Sequence, residues 1–311
     1  MQVETTLWLN YQKINMDLSV IIINWNTKKL LDQCLSSVFK HTKDLKFEVI
    51  VVDNNSQDSS QALVEKKFPK TKLILNKDNL GFTKANNQGI KVAKGKYILL
   101  LNSDTYLIEN SFKKIIKRAQ KLKNLGALGP QLLNDDKSIQ QSVGFFPNLP
   151  QVFFWMTFID DFVGGQYLKP YHVDHNAFYK KDREVDWVTA AAILVPRTVI
   201  KKVGKLDENI FMYGEETEWC YRIKKAGFKV YFSPTAKIIH IGRGSSKKIP
   251  TSAFIGEYQG VIYFYKKYKG KISLQIVRLL LKIGALARVV IFRLKGKKDL
   301  AQAYVEALKV D

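Results

Sequence analysis

Tyr97-Ile98-Leu99-Leu100-Leu101-Asn102-Ser103-Asp104 is an apolar run that stops abruptly in three small polar residues. Uncharged apolar runs of this length read as strands buried on both faces. In open α/β sheets, ligands collect just beyond the carboxyl ends of the strands, so Asp104 stands where a rigid strand presents an acid to a ligand or a metal. The same pattern recurs upstream. Leu18–Ile23 is apolar and β-branched and ends in Asn24-Trp25-Asn26-Thr27. Phe47–Val52 ends in Asp53-Asn54-Asn55-Ser56-Gln57-Asp58. Between them, Leu30, Leu31, Cys34, Leu35, Val38 and Phe39 recur at helical spacing. A short helix over 59–67, a strand over Lys72–Leu75 and a helix carrying Ala85, Ile90 and Ala93 follow. Strands alternating with helices predict an α/β fold with a mostly parallel sheet, right-handed crossovers and flanking helices. If the three strands are parallel, their polar ends meet at one edge.

Further along, a helix from Asn110 carries Phe112, Ile115, Ile116, Ala119 and Leu122 on one face. Residues 131–183 give a weak pattern; within them 151–159 is dense in aromatics and reads equally as a buried helix or as a segment touching lipid. Val185–Val195 resumes a strand pattern, and Arg197–Gly204 is a short helix. Glu215–Ala226 reads as a helix with Glu215, Glu216 and Glu218 at its start and Lys224 and Lys225 at its end, a polarity that suits the helix dipole. Val230–Phe232 and Ile238–Ile239 read as strands, the second ending at His240 before the loop Gly242-Arg243-Gly244-Ser245-Ser246.

The 311 residues carry 50 Lys and Arg against 28 Asp and Glu, a formal charge of +22 that points to an anionic partner. With 46% hydrophobic residues the chain buries a sizeable core. Cys34 and Cys220 sit at apolar helix positions and read as buried thiols in a reducing compartment. The start, Met1–Asn15, has no signal-peptide pattern, and Met16 is a possible second start. From Ser252 the character changes to Tyr and Lys, then to the aliphatic run Ile272–Leu294 interrupted by Arg278, Lys282, Arg288 and Arg293. Four cations argue against a membrane span. Arg278, Lys282 and Arg293 fall on one face with Arg288 off it, as in an amphipathic helix on an anionic membrane surface. The division expected is 1–16 as an N-terminal extension, 17–250 as the α/β domain and 251–311 as a basic amphipathic helical region.

Neither GxxxxGK[ST], GxGxxG nor G-x-S-x-G occurs, which removes the P-loop, the dinucleotide fingerprint and the hydrolase elbow. What remains suits sugar transfer from a nucleotide diphosphate. Departing diphosphate gains charge that a metal and donors stabilise, with Asp104 and His240 as candidate ligands. The acceptor hydroxyl needs a carboxylate base, which Glu215, Glu216 or Glu218 can supply. Trp25 with Asp53 or Asn54 offers a flat apolar surface and an acceptor for a base. Two rivals compete. A sugar nucleotidyltransferase would need a Gly-rich basic loop after the first strand, where 24–29 has neither Gly nor Arg. A non-catalytic basic module on membrane or nucleic acid leaves the ordered strand-end acids unexplained, since they repel phosphate; nucleic acid is not the expected partner.

In order, Ser19–Asn26, Val52–Asp58, Asn79-Leu80-Gly81-Phe82 with Ala85–Gly89, Leu101–Asp104, Phe211–Cys220 and His240–Ser245 resemble family 2 glycosyltransferases, most of all the rhamnosyltransferase-like members, over 17–250. The resemblance implies a GT-A fold, inverting transfer, a nucleotide-diphosphate sugar donor and Mg2+ or Mn2+. It places Trp25, Asn26, Asp53, Asn54 and Asn79 on the nucleotide, Asn102-Ser103-Asp104 at the DxD metal motif with Asn for its first acid, and His240 as a metal ligand. Glu215-Glu216 falls at the Glu-Asp motif, which selects Glu216 as base; Ala190-Ala191 stands where Gly-Ala lies near the donor sugar; Arg243 and Ser245 are diphosphate contacts, and Arg222 a structural partner of the acids. The expected reaction moves a sugar, rhamnose by resemblance, from a dTDP or UDP donor to a polyprenyl-diphosphate-linked or polysaccharide glycan. The expected place is the cytoplasmic, inner face of the membrane.

Overall fold

A computed structural model describes residues 16–159, 169–242 and 251–310. Strands β1 (Leu18–Asn24), β2 (Phe47–Asp53), β3 (Lys72–Leu75) and β4 (Tyr97–Asn102) are joined by helices α1 (Lys28–His41), α2 (Ser60–Lys67) and α3 (Gly81–Val92). These four strands are parallel in the order β3-β2-β1-β4. The central ones read as unbroken apolar runs because both faces are covered: Val20, Ile21 and Ile22 of β1 are all fully buried.

The expectation of a mostly parallel sheet holds for this half only. β5 (Thr105–Leu107) and α4 (Ser111–Ala119) lead into β6 (Leu125–Leu133), and later β8 (Arg183–Val185), β10 (Ala192–Pro196) and β11 (Lys229–His240) complete a mixed nine-stranded sheet. β10 runs antiparallel to both β4 and β6, β11 is parallel to β6, and β5 and β8 pair antiparallel with β11. The polarity reverses because β10 arrives beside β4 after a long excursion and not through a helical crossover. That excursion includes β7 (Val143–Gly144) and β9 (Trp187–Val188), which pair with each other, and α5 (Leu149–Thr157).

β6 was hidden in the sequence by Gly126, Gly129 and Pro130. The glycines are required: a Cβ on Gly126 would lie 2.3 Å from Ile223 and one on Gly129 would lie 2.8 Å from Val188. Pro130 pairs with Ser233 at the edge of a register shift in β11, a place where a missing N–H is tolerated. The two strands expected over 230–239 are one strand interrupted by that bulge.

Helices α6 (Arg197–Val203) and α7 (Glu215–Lys225) precede and follow the loop that carries Phe211–Gly214. The chain ends in α8 (Thr251–Tyr268), α9 (Lys271–Leu294) and α10 (Lys298–Ala307). Tyr258, Val261, Phe264 and Tyr265 of α8, with Val277, Leu281 and Ala285 of α9, join the same hydrophobic cluster as Trp219 and Phe232 of the sheet domain. Arg288 lies on the inner face of α9, only 4% exposed. Its guanidinium donates to the carbonyls of Met156 at 2.9 Å and Trp155 at 2.5 Å, so it satisfies the free C-terminal carbonyls of α5. Segment 151–159 is thus helical through Thr157, with Val152 and Met156 buried and Met156 against Gly284 of α9. Cys34 and Cys220 are buried free thiols, each pushed up to about 12, chiefly by burial.

Candidate active site

The register of the parallel strands places Asn24 beside Asp53 and Ile23 beside Asn102, so the three polar strand ends do meet at one edge. Their side chains form one network. Asn24 Nδ2 donates to Asp53 Oδ2 at 2.8 Å and to Ser56 Oγ at 3.0 Å, and Thr27 Oγ1 donates to Asn24 Oδ1 at 2.7 Å. Thr27 Oγ1 is also 3.0 Å from Ser103 Oγ, which links the first strand end to the third.

Within this network the nucleotide candidates divide. Trp25 is 47% exposed and stands off the core, available as a flat surface. Asn26 takes a left-handed turn, φ 54°, and its Oδ1 accepts from the Gln57 N–H. Asp53 is buried, and its carboxylate already accepts from Asn24 Nδ2, the Ser56 N–H and Gln61 Nε2. Asn54 is likewise buried; its Nδ2 donates to Asn79 Oδ1 and the Gly81 carbonyl, and its Oδ1 accepts from Asn76 Nδ2. Asn79 closes the turn by accepting from the Gly81 N–H at 3.0 Å. Asp53, Asn54 and Asn79 therefore hold the shape of the strand edge, whatever else they touch.

Asp104 is the last residue before β5, and β5 pairs with the end of β11, Thr105 opposite His240. That hairpin-like pairing brings the Asp104 Oδ1 to 3.2 Å from His240 Nε2, with Asn102 Nδ2 3.4 Å from the same nitrogen. Gln140, which the sequence did not single out, orients the ring. Its Nε2 donates to the His240 carbonyl at 2.9 Å and to Asn134 Oδ1 at 2.8 Å, which turns its Oε1 to His240 Nδ1 at 2.6 Å. Nδ1 therefore carries a proton, and in the neutral ring the lone pair on Nε2 faces the Asp104 carboxylate. An imidazole lone pair and a carboxylate converging in this way fit a divalent cation. Among the described residues no cluster of three or more His, Cys, Asp or Glu gathers.

The acids of α7 separate by environment. Glu218 is 1% exposed and engaged by Arg222 Nε at 2.8 Å, Lys267 Nζ at 2.8 Å and the Tyr268 hydroxyl at 2.6 Å. It is a structural tie to α8, Arg222 is its partner, and this leaves Glu215 and Glu216 as base candidates. Each of these two has a buried Oε2 with no hydrogen-bond partner. Burial, then the neighbouring Glu216 carboxylate, pushes Glu215 well above the usual carboxylate range. Burial also pushes Glu216 up, Glu257 adding to the shift and His172 opposing it. The Ala191 carbonyl accepts from the Asn102 N–H at 2.9 Å. Ala191 is thus fastened to the end of β4, two residues before Asp104. Arg243 and Ser245 fall outside the described residues.

Helix α8 closes this side of the site. Tyr213, in a left-handed conformation with φ 71°, and Gly214 press onto it. A Cβ on Gly256 would lie 2.4 Å from the Tyr213 ring, and one on Gly260 2.8 Å from the Tyr213 carbonyl oxygen. The spacing of Gly256 and Gly260, four apart on a helix, was the signal in the sequence that another segment approaches closely. Gln140, His172 and Glu257 gave none, because each comes from a segment whose position depends on tertiary packing.

The family model for glycosyl transferase family 2 matches residues 19–183. The N-acetylglucosaminyl-diphospho-decaprenol L-rhamnosyltransferase of Mycobacterium tuberculosis (strain ATCC 25618 / H37Rv) is 23% identical over 258 residues, covering 79% of this chain and 83% of that one. The low-salt glycan biosynthesis hexosyltransferase Agl10 of Haloferax volcanii is 22% identical over 267 residues, covering 81% of this chain and 74% of that one. Among solved structures, GalNAc-T7 with UDP, GalNAc and Mn2+ aligns with a TM-score of 0.64 at 15% identity, over 94% of this chain and 56% of that one. This chain therefore spans little more than half the length of GalNAc-T7. The mannosyltransferase PcManGT from Pyrobaculum calidifontis, in complex with GDP-Man and Mn2+, aligns with a TM-score of 0.55 at 14% identity, over 96% and 87% of the two chains. The shared architecture is the GT-A fold.

Proposed function

Since this chain belongs to glycosyl transferase family 2, we propose that it is an inverting, metal-dependent enzyme that moves a sugar from a nucleotide diphosphate onto a hydroxyl of a glycan acceptor. The observation that supports this most is the convergence of Asp104 Oδ1 and His240 Nε2, 3.2 Å apart, at the polar edge of the parallel strands. Asp104 and His240 would hold the ion, whose chemistry is to stabilise the charge that grows on the departing diphosphate. Trp25, with Asn26 beside it, offers the surface for the base, and Asn102, Ser103 and Ala191 line the path from the strand tip toward the sugar. Glu216 takes the proton of the attacking hydroxyl; its raised affinity for protons suits a base working near neutrality. Rhamnose from a dTDP or UDP donor is the sugar we propose, and a polyprenyl-diphosphate-linked or cell-surface glycan the acceptor. The name of the mycobacterial relative supports rhamnose and a diphospho-decaprenol acceptor, and that of the haloarchaeal relative supports sugar transfer in glycan synthesis.

Incubation of the protein with a panel of nucleotide sugars, with Mn2+ or Mg2+ and then with chelator, tests this. Metal-dependent release of the nucleotide diphosphate from one donor is expected. Silence across the panel, with no rise in Tm from UDP or dTDP, would reject it.

We place the enzyme at the inner face of the cell membrane. Among the described residues no helix is long and apolar enough to cross a membrane. On α9, however, Ile272, Ile276, Leu279, Ile283, Leu286, Val290 and Leu294 form an outward stripe, each between 42% and 83% exposed. At about 100° per residue, Lys271, Arg278, Lys282 and Arg293 flank that stripe on one side. Apolar residues seated among acyl chains with cations at head-group level give this arrangement a use. The double variant Leu279→Glu/Ile283→Glu is expected to lower binding to phosphatidylglycerol vesicles at least about 10-fold in co-sedimentation and to leave donor hydrolysis unchanged. Vesicle binding equal to wild type would reject the placement.

A further inference from the structure

A cavity of about 320 Å³ opens beside Glu216. Strand residues Val143 and Trp187, the α7 start, the loop carrying Tyr171 and His172, and Phe254 and Glu257 of α8 build its walls. Its size is at the lower end of the roughly 300–1,000 Å³ typical of ligand pockets, room for one ring more than for a chain of them. Two carboxylates and an imidazole line it: Glu216 on one wall, His172 and Glu257 on another. His172 Nε2 lies 2.5 Å from the Glu257 carboxylate. The His172 ring is itself walled by Tyr171, Trp155 and Trp187, at centroid distances of 4.3, 5.6 and 5.4 Å.

We propose that this cavity receives an uncharged sugar ring, the reacting unit of the acceptor, and that His172 and Glu257 select it by gripping a hydroxyl beside the one that reacts. The proposal rests on the reading of Glu216 as base. Apolar ring faces with a few convergent polar atoms match a pyranose, whose C–H faces are apolar and whose edge is hydroxylated. Glu216 lines the cavity, so its carboxylate is the acceptor that one hydroxyl can meet. Two carboxylates against one imidazole repel phosphate, so a lipid diphosphate attached to the same acceptor must lie outside the cavity. A site built to bond a hydroxyl also discriminates strongly against a ring that lacks it, because its own polar groups are then left unpaired.

Tryptophan emission of the full-length protein, followed during titration with methyl and octyl glycosides of glucose, galactose, mannose, rhamnose and N-acetylglucosamine, reads occupancy through Trp187. At least one neutral glycoside is expected to bind saturably, and glucose 6-phosphate to bind at least 10-fold more weakly. Glu257→Gln and His172→Asn are each expected to raise that Kd at least 10-fold with Tm preserved; if one variant loses its melting transition, the other decides. Wild-type protein that binds none of the glycosides, variants that bind as tightly as wild type, or equal binding of the phosphorylated sugar would overturn the proposal. Glu216→Gln separates this reading from the one beneath it. Retained transfer by that variant, alongside weakened glycoside binding in Glu257→Gln, would remove the base assignment and leave the cavity's ligand standing.

Discussion

Replacement of Glu216 by Gln is expected to lower kcat for sugar transfer by about 10²–10⁴-fold, the usual range for loss of a positioned general base. The amide keeps the size of the side chain but has no lone pair basic enough to take the hydroxyl proton. Donor binding, which we propose for the Trp25 and Asp104 side, should be unchanged, which separates loss of the base from loss of fold. Glu215→Gln should cost much less, because Glu215 is buried and is not among the residues lining the cavity. The pH profile gives the same assignment a second test. The base works when ionised, and burial pushes the Glu216 carboxyl upward. Transfer should therefore fall, as pH drops, at a higher pH than an ordinary carboxylate would give. A wild-type profile flat down to the ordinary carboxylate range would place the base elsewhere.

For Asp104→Ala the expected loss in kcat/KM is about 100-fold or more, with a higher requirement for Mn2+. On the proposed assignment, removing the carboxylate would leave His240 alone to hold the ion at the strand tip, since Asn102 carries an amide in place of an acid. Gln140→Leu should give a smaller fall in the same direction, because the ring then loses the acceptor that holds Nδ1. Metal titrations of wild type and both variants measure this. An Asp104→Ala enzyme with wild-type turnover and metal dependence would remove the ligand assignment.

The strand-edge half of the site was legible because parallel strands, written as apolar runs, force their polar ends to one edge. The register of Asn24 against Asp53 is that inference made visible. Asp104 and His240 were both read as candidate ligands, but their contact was not legible. Asp104 could be placed by its strand, but its contact with His240 needed the pairing of β5 with β11, an antiparallel match that no local pattern announced. β6 escaped notice because Gly126, Gly129 and Pro130 answer to close neighbours and a bulge, not to strand propensity. The C-terminal helices were read by their outward face alone. Their inward face, with Glu257 against His172, Lys267 on Glu218 and Arg288 on the end of α5, depends on partners more than 40 residues away in sequence.

The two buried thiols have a practical use. A thiol pushed up to about 12 is ionised at neutral pH only to a fraction on the order of 10⁻⁵, so the buried Cys34 and Cys220 are expected to resist alkylating reagents in the folded protein. The native chain is therefore already a blank background for site-specific labelling. Ile283→Cys would introduce a single reactive sulfur on the outward stripe of α9, and Phe254→Cys one at the cavity wall. A spin label or environment-sensitive fluorophore at the first would report depth in a bilayer. At the second it would report when the cavity fills, and both need no prior removal of native sulfur.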